Sequence, residues 1–219
     1  MKKNDPAKVF TNPLETKGDG GDAPGRNIAA DEFIKALTGS KEGDEEAKHK
    51  LWTMTYNELK RLARNRLRQS KPGRTISTTV LVHEAYLKLG SSGGLKVEDR
   101  SHFLALSCRA MRQILVQYVR EKNAHKRMAH QKAVTFEENI SGMDPTQINL
   151  LAINQVLNEL EQVDKRLVQV VECRFFGGLS ADETAEVLKV SSRTVERDWV
   201  KAKLYLFKAL EEPQQEAES

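Results

Sequence analysis

The residues best suited to contact a nucleic acid lie near the carboxyl end of the sequence, on one predicted helix. In the segment LSADETAEVLKVSSRTVERDWVKAKLYL, residues 179–206, Arg193, Glu196 and Arg197 recur at three- and four-residue spacing. That spacing places two guanidinium groups and one carboxylate on the same side of a helix. Such groups bind phosphates and base edges in a major groove, so the pattern favours a DNA-contacting face.

A capped turn between two helices is predicted to position that face. Ser180 and Glu183 form an S-x-x-E capping box, and Ser191 or Ser192 begins the second helix after a turn. The buried side of the second helix is predicted to contain Val195, Trp199, Ala202 and Leu206. The pattern favours a helix-turn-helix over an ordinary helical hairpin. Lys189 occupies the turn position that usually holds glycine, and a left-handed backbone there costs about 1 kcal/mol.

Basic residues are concentrated in two further blocks. Seven Lys or Arg and no acid lie between Lys60 and Arg74, and seven lie between Arg109 and Lys132 against Glu121 alone. The second block is on a long helix predicted from Phe103 to about Lys122. Its polar arc contains His102, Arg109, Arg112, Gln113, Gln117 and Arg120. Blocks of this density favour a polyanion-binding face over a merely solvated one.

Three hydroxyl side chains open another helical segment, STTVLVHEAYLKL, residues 77–89. Ser77, Thr78 and Thr79 precede the apolar helical pattern, and the first acid after them is Glu84. Helix capping is one explanation, because Ser and Thr are ordinary residues at a helix start. A site for phosphate attachment is the other.

Composition excludes several classes of protein. Of 219 residues, 39% are hydrophobic and 30% are charged, and the net charge is +4. No run approaches the roughly 20 apolar residues of a membrane span, and the amino terminus does not resemble a signal peptide. Cys108 and Cys173 are expected to be buried free thiols in a reducing cytoplasm. The sequence contains no phosphate-binding glycine loop, metal-ligand cluster or nucleophile–base pair. We therefore expect that the protein is not an enzyme and that it binds neither a cofactor nor a metal.

The chain is predicted to be all-α, with two helical domains joined by a flexible linker. The predicted divisions are a disordered arm (1–28), a helical bundle (29–122), a linker (123–148), a helix-turn-helix domain (149–210) and an acidic tail (211–219).

Three segments in this order resemble the extracytoplasmic-function, or group IV, sigma factors of bacterial RNA polymerase. LVHEAYLKL (81–89) resembles the region that docks on the polymerase clamp helices. HFLALSCRAMRQILVQYVREKNAHKR (102–127) resembles the helix that reads and melts the minus-ten element. The third segment, VVECRFFGGLSADETAEVLKVSSRTVERDWVKAKLYL (170–206), resembles the region that reads the minus-35 element.

The resemblance implies a non-enzymatic factor that binds core RNA polymerase, at its clamp helices and flap, and promoter DNA. The DNA-binding residues implied are His102, Phe103, Arg109, Arg112, Gln113, Arg120, Ser192, Arg193, Glu196, Arg197, Lys201 and Lys203. For His102 and Phe103, helix capping and core packing are the alternative roles. The polymerase-binding residues implied are Leu81, Val82, Glu84 and Tyr86. The alternative is a helix-turn-helix regulator that binds DNA without polymerase.

The usual sigma factors of this kind have acids just before the LVHE-like segment, where this chain has hydroxyls. A phosphate supplies about −1.5 to −2 charge at such a position, which an unmodified hydroxyl cannot. We therefore expect a Ser/Thr protein kinase to activate the factor at Thr78 or Thr79. The sequence identifies neither that kinase nor an anti-sigma protein.

Overall fold

The computed structural model describes residues 26–68, 76–90, 97–129 and 145–211, and all regular structure in these ranges is helical. The all-α prediction is therefore confirmed. The helices are α1 (Arg26–Glu42), α2 (Glu45–Leu67), α3 (Thr78–Gly90), α4 (Arg100–Ala129), α5 (Pro145–Val163), α6 (Lys165–Val171), α7 (Ala181–Leu188) and α8 (Ser192–Glu211). A π-helical turn, Glu172–Phe176, follows α6.

The first helix group consists of α1 to α4. Asp44 caps α2 by accepting hydrogen bonds from the Glu46 and Ala47 amides at 2.9 and 3.3 Å, which ends the turn after α1. α1 packs on α2, and both α2 and α3 pack on α4. Apolar residues at helical spacing fill the space between them: Phe33, Leu59, Leu62, Leu81, Phe103 and Met111 are all fully buried.

The second helix group consists of α5 to α8 with the π-helical turn. Asp164 caps α6 by accepting from the amides of Arg166 and Leu167. α6 packs on α5 and α8, and α7 packs on α8. Fully buried apolar side chains again form the core: Ile153, Leu157, Val170, Phe176, Leu179, Val195 and Leu206.

The two helix groups share one continuous buried cluster rather than presenting two separate cores. α4 packs not only within its own group but also on α5, the π-helical turn and α7. The division into two tethered domains therefore stays a prediction.

α4 continues to Ala129 and α5 begins at Pro145, so both helices extend into the range 123–148 that was predicted to be the linker. Residues 26–28, predicted to belong to the disordered arm, are helical, and so is Glu211 of the predicted tail. The rest of the arm, the middle of the linker and the remainder of the tail lie outside the described residues.

Candidate functional site

Local hydrogen bonds shape the turn between α7 and α8 as the sequence predicts. The Glu183 amide donates to Ser180 Oγ at 3.1 Å, and the Ser180 amide donates to Glu183 Oε2 at 2.8 Å, which confirms the capping box. Lys189 ends α7 with φ 55° and ψ 43°, a left-handed conformation that costs a non-glycine residue about 1 kcal/mol. Ser191 then accepts from the Thr194 amide at 3.2 Å and opens α8.

The face of α8 that the turn directs outward bears the expected charges. Arg193, Glu196 and Arg197 are exposed, as is Lys201. The opposite face is buried at Val195, Trp199, Ala202 and Leu206. Val200, 51% exposed, adds an apolar surface beside the charged groups.

Lys203 and Ser192 of α8, both predicted to bind DNA, also have contacts inside the protein. The Lys203 ammonium lies 5.5 Å from the centre of the Trp199 ring, within range of a cation–π interaction. The Ser192 hydroxyl donates to Asp182 Oδ1 on α7. The Ser192 bond therefore ties α8 to α7, whereas the Lys203 contact lies within α8.

Asp198 is a site residue that the sequence reasoning missed. Its carboxylate is 1% exposed and accepts from Arg166 Nε at 2.7 Å, which ties α8 to the start of α6. Its second oxygen lies 3.5 Å from Arg197 Nε. An acid inside an otherwise apolar helical face was the available signal, since a buried carboxylate needs a cationic partner.

Residues predicted to contact DNA from α4 fall into an exposed and a buried set. Arg109, Gln113 and Arg120 are exposed. Phe103 is fully buried and lies 5.8 Å from Phe33 between ring centres, so it belongs to the core in this arrangement. His102 is half-buried, and its Nδ1 accepts from the Glu98 amide at 3.2 Å.

Arg112 is also buried, which differs from the prediction that it faces DNA. Its guanidinium donates to Glu172 Oε1 at 3.0 Å, to Asn154 Oδ1 at 3.0 Å and to Asn158 Oδ1 at 2.7 Å. A further bond reaches the Asn154 carbonyl at 3.2 Å. These partners all belong to the second helix group, so the polar arc of α4 is partly covered by protein.

The Glu172 carboxyl is the charged partner in this buried cluster. Burial raises the pKa of Glu172, while the hydrogen bond from Arg112 opposes that rise. Arg112 and Glu172 are each less than 10% exposed at the side chain, at 5% and 7%. Removing either partner alone would leave an uncompensated charge, provided the two helix groups stay together.

The three hydroxyl residues at the amino end of α3 have different roles. Ser77 Oγ accepts from the Val80 amide at 3.3 Å, so Ser77 supplies the capping bond. Thr78 and Thr79 form the first turn, where Thr79 is exposed and Thr78 half-buried. That turn contains no acidic residue. Capping therefore explains Ser77 but not the two threonines that follow it.

The predicted polymerase-binding residues of α3 do not all face outward. Leu81 and Val82 are 0% and 1% exposed, because they hold α3 on the core. Glu84 is exposed. Tyr86 is half-buried and lies against Trp52, with 5.8 Å between ring centres.

The apolar side chains that α3 exposes are Val80 and Leu87, which are 48% and 50% exposed. The periodic pattern in the sequence predicted that these positions are helical, but it did not indicate which of their side chains are exposed to solvent. Together with Glu84 they form the exposed face of α3.

Glu183 gives a test of the capped turn. Burial disfavours its charged form, but the Ser180 amide and the Arg61 guanidinium, 2.6 Å away, hold the pKa of Glu183 below its usual value. We expect Glu183→Ala to lower the free energy of unfolding by about 1–2 kcal/mol at pH 7. Because the folded-state pKa is depressed, this contribution is present above about pH 4.3 and is lost as the pH falls through the folded-state value.

Urea unfolding of the wild type and of Glu183→Ala at pH 7 and pH 3 measures this difference. Glu159→Ala, at an exposed position on α5, is the matched control. A difference between wild type and Glu183→Ala that is the same at both pH values would contradict the assignment.

Within the described ranges, no group of three or more His, Cys, Asp or Glu side chains could hold a metal ion. No helix of this part of the chain has the length and apolar character needed to cross a membrane.

A family model described as ECF sigma factor matches residues 30–212. Neither a curated protein nor a solved structure matches the chain.

Proposed function

The chain belongs to the ECF sigma factor family, and on that premise we propose that it starts transcription at minus-35 and minus-ten promoter elements after phosphorylation of Thr78 or Thr79. Members of this family are non-enzymatic initiation factors. The chain is accordingly an alternative sigma factor, and its partners are core RNA polymerase and promoter DNA. Family membership sets aside the alternative of a regulator that works without polymerase.

The exposed face of α8 supports the role of reader for the minus-35 element. Arg193 and Arg197 project from the helix that follows the capped turn, with Glu196 between them. A guanidinium group forms bidentate hydrogen bonds with a base edge or a phosphate, and a carboxylate accepts from a base amino group. On α4, Arg109, Gln113 and Arg120 are the exposed candidates for the minus-ten element.

The observation that carries the phosphorylation proposal is the amino end of α3. Two threonines occupy a first turn without acids, the cap is supplied by Ser77, and Glu84 and two apolar side chains are exposed farther along. A phosphate at the amino end of a helix is favoured by the helix dipole. It would add the missing negative charge beside the exposed face of α3, which we assign to the polymerase clamp.

Transcription with purified core RNA polymerase tests the function as a whole. The chain, phosphorylated by a Ser/Thr kinase or carrying aspartate at Thr78 and Thr79, should associate with core enzyme and start transcripts from a defined promoter. A protein that shifts promoter duplex by itself and never associates with core enzyme, modified or not, would overturn the proposal.

Salt dependence should reveal the phosphate contacts of α8. We expect Arg193→Ala and Arg197→Ala each to weaken promoter binding by the polymerase complex. Each should also reduce the slope of log K against log salt concentration by about 0.9 if it removes one phosphate contact. Lys35→Ala, on the exposed surface of α1, is the control and should leave the slope unchanged. Fluorescence anisotropy of labelled promoter at several salt concentrations measures the slope. Unchanged slopes for both arginine variants would remove α8 from the DNA interface.

A further inference from the structure

One apolar side chain lies among the charged groups on the exposed face of α8. We propose that Val200 is a specificity-determining residue, whose methyl groups contact the 5-methyl group of a thymine in the minus-35 element. The inference rests on the proposed function, because it deepens the assignment of α8 as the reader of that element. The charged residues of this face bind polar groups of the DNA, whereas Val200 selects an apolar one.

Val200 lies on the same stripe of α8 as the two arginines assigned to the promoter. At about 100° per residue, it is about 20° around the helix from Arg193 and about 60° from Arg197. The rise of about 1.5 Å per residue places it about 4.5 Å beyond Arg197 along the helix axis. This separation is close to the rise of about 3.4 Å per base pair in B-form DNA. Val200 and Arg197 are therefore spaced to contact neighbouring base pairs in one groove.

The position of Val200, rather than its exposure alone, indicates a ligand. Isolated exposed apolar residues are common on protein surfaces. Val200, however, is 51% exposed and is surrounded by the exposed charged residues Glu196, Arg197 and Lys201. In the described part of the chain it neither belongs to the buried core nor packs against it. A β-branched residue also has lower helix propensity than alanine, so valine at this position does not serve the stability of α8.

Buried contacts beneath Val200 fix its position on the protein. The preceding residue, Trp199, is 4% exposed and packs in the core. Asp198 accepts a hydrogen bond from Arg166 Nε at 2.7 Å, which holds this turn of α8 against α6. A valine side chain in a helix has one strongly preferred χ1 rotamer. Val200 thus presents its methyl groups from a rigid support, as discrimination between bases requires.

Thymine is the base that fits an apolar side chain at this position. Its C5-methyl group is the distinctive apolar feature in the major groove, where the other bases are recognised by their hydrogen-bond donors and acceptors. Valine placed against a donor or acceptor would displace water without replacing its hydrogen bonds, which costs free energy. Against a methyl group, both apolar surfaces leave water, which is favourable. Valine at this position therefore favours thymine over the other bases.

Leu204 lies on the same stripe and is the matched control. It is 64% exposed, compared with 51% for Val200. Val200 is the ninth residue of α8 and Leu204 is the thirteenth, which places Leu204 about 6 Å farther along the axis. The residues of a recognition helix that contact base edges lie toward its amino end. Leu204→Ala therefore truncates a similar side chain on the same face without touching the bases.

Selection from a DNA library tests the base preference. The probe is a promoter duplex randomised over the minus-35 element, and the protein carries aspartate at Thr78 and Thr79 and is in complex with purified core RNA polymerase. We expect the wild-type residue at position 200 to select thymine at one base pair of the element. Val200→Ala should lose the preference at that base pair and keep the others. Leu204→Ala should select the same sequence as the protein with neither truncation.

Removal of one methyl group from the DNA isolates the contact. Deoxyuridine in place of the selected thymidine keeps the base pair and deletes only the 5-methyl group. We expect the protein with Val200 to bind the thymine duplex about fourfold more tightly than the uracil duplex, which corresponds to about 0.8 kcal/mol for one buried methyl group. Val200→Ala should bind both duplexes equally, and Leu204→Ala should retain the fourfold ratio. Competition between the two duplexes, followed by fluorescence anisotropy, measures a ratio that does not depend on the stability of the protein.

The outcomes separate this inference from the proposed function. If the polymerase complex selects a minus-35 sequence but binds the thymine and uracil duplexes equally, the Val200 contact is excluded and the function stands. An equal preference for thymine in the protein with Val200 and in Val200→Ala would exclude it as well. If the complex selects no sequence in the randomised element, the proposed function fails and the inference fails with it.

Discussion

Aspartate at both Thr78 and Thr79 is expected to raise the affinity for core RNA polymerase by about 10- to 100-fold. The estimate corresponds to one charge-assisted hydrogen bond of roughly 1.5–3 kcal/mol. Two aspartates approximate the charge of a single phosphate, and they lie in the first turn of α3, where negative charge is favoured. Titration of labelled protein with purified core enzyme, using protein made in a host without the kinase, measures the change.

The control must separate local charge from general acidity. Thr38→Asp adds a carboxylate at an exposed threonine of α1 and should not strengthen polymerase binding. Thr78→Ala with Thr79→Ala should prevent activation by the kinase and leave the basal affinity unchanged. If unmodified wild-type protein already binds core enzyme as tightly as the aspartate form, the phosphorylation switch is excluded.

The second large effect is expected at Phe103, where a DNA contact and a core position predict different results. Phe103→Ala should lower the free energy of unfolding by about 3–5 kcal/mol, because the ring is fully buried beside Phe33. Denaturant unfolding followed by circular dichroism measures the loss. If the ring instead lay at the surface to contact DNA, its removal should leave the free energy of unfolding almost unchanged.

Comparison with the neighbouring residue makes the Phe103 result specific. His102→Ala removes a half-buried side chain that accepts one hydrogen bond from the Glu98 amide. It should therefore lower the free energy of unfolding by about 1 kcal/mol or less. If His102 helps to capture a base of the minus-ten element, this variant should still lose promoter opening. A loss of stability at Phe103 no greater than that at His102 would contradict its place in the core.

Features that depend on residues close together in the chain could be predicted from the sequence. The capping box needs only Ser180 and Glu183, three positions apart, and the inward face of α8 follows from the helical period of its apolar residues. The left-handed backbone at Lys189 followed from its position in the turn. These features arise from local hydrogen bonds and from side-chain periodicity, which a linear sequence records directly.

The tertiary structure alone decided which polar residues are available to a partner. Periodicity places Arg109 and Arg112 on one arc of α4, but it does not show that Glu172 and Asn158, which lie 60 and 46 residues later, bind Arg112 and bury it. For the same reason the sequence left open whether Phe103 packs in the core, and it did not reveal that Leu81 and Val82 are enclosed while Val80 and Leu87 are exposed. Burial is a property of what packs against a helix face, and that partner comes from a distant part of the chain.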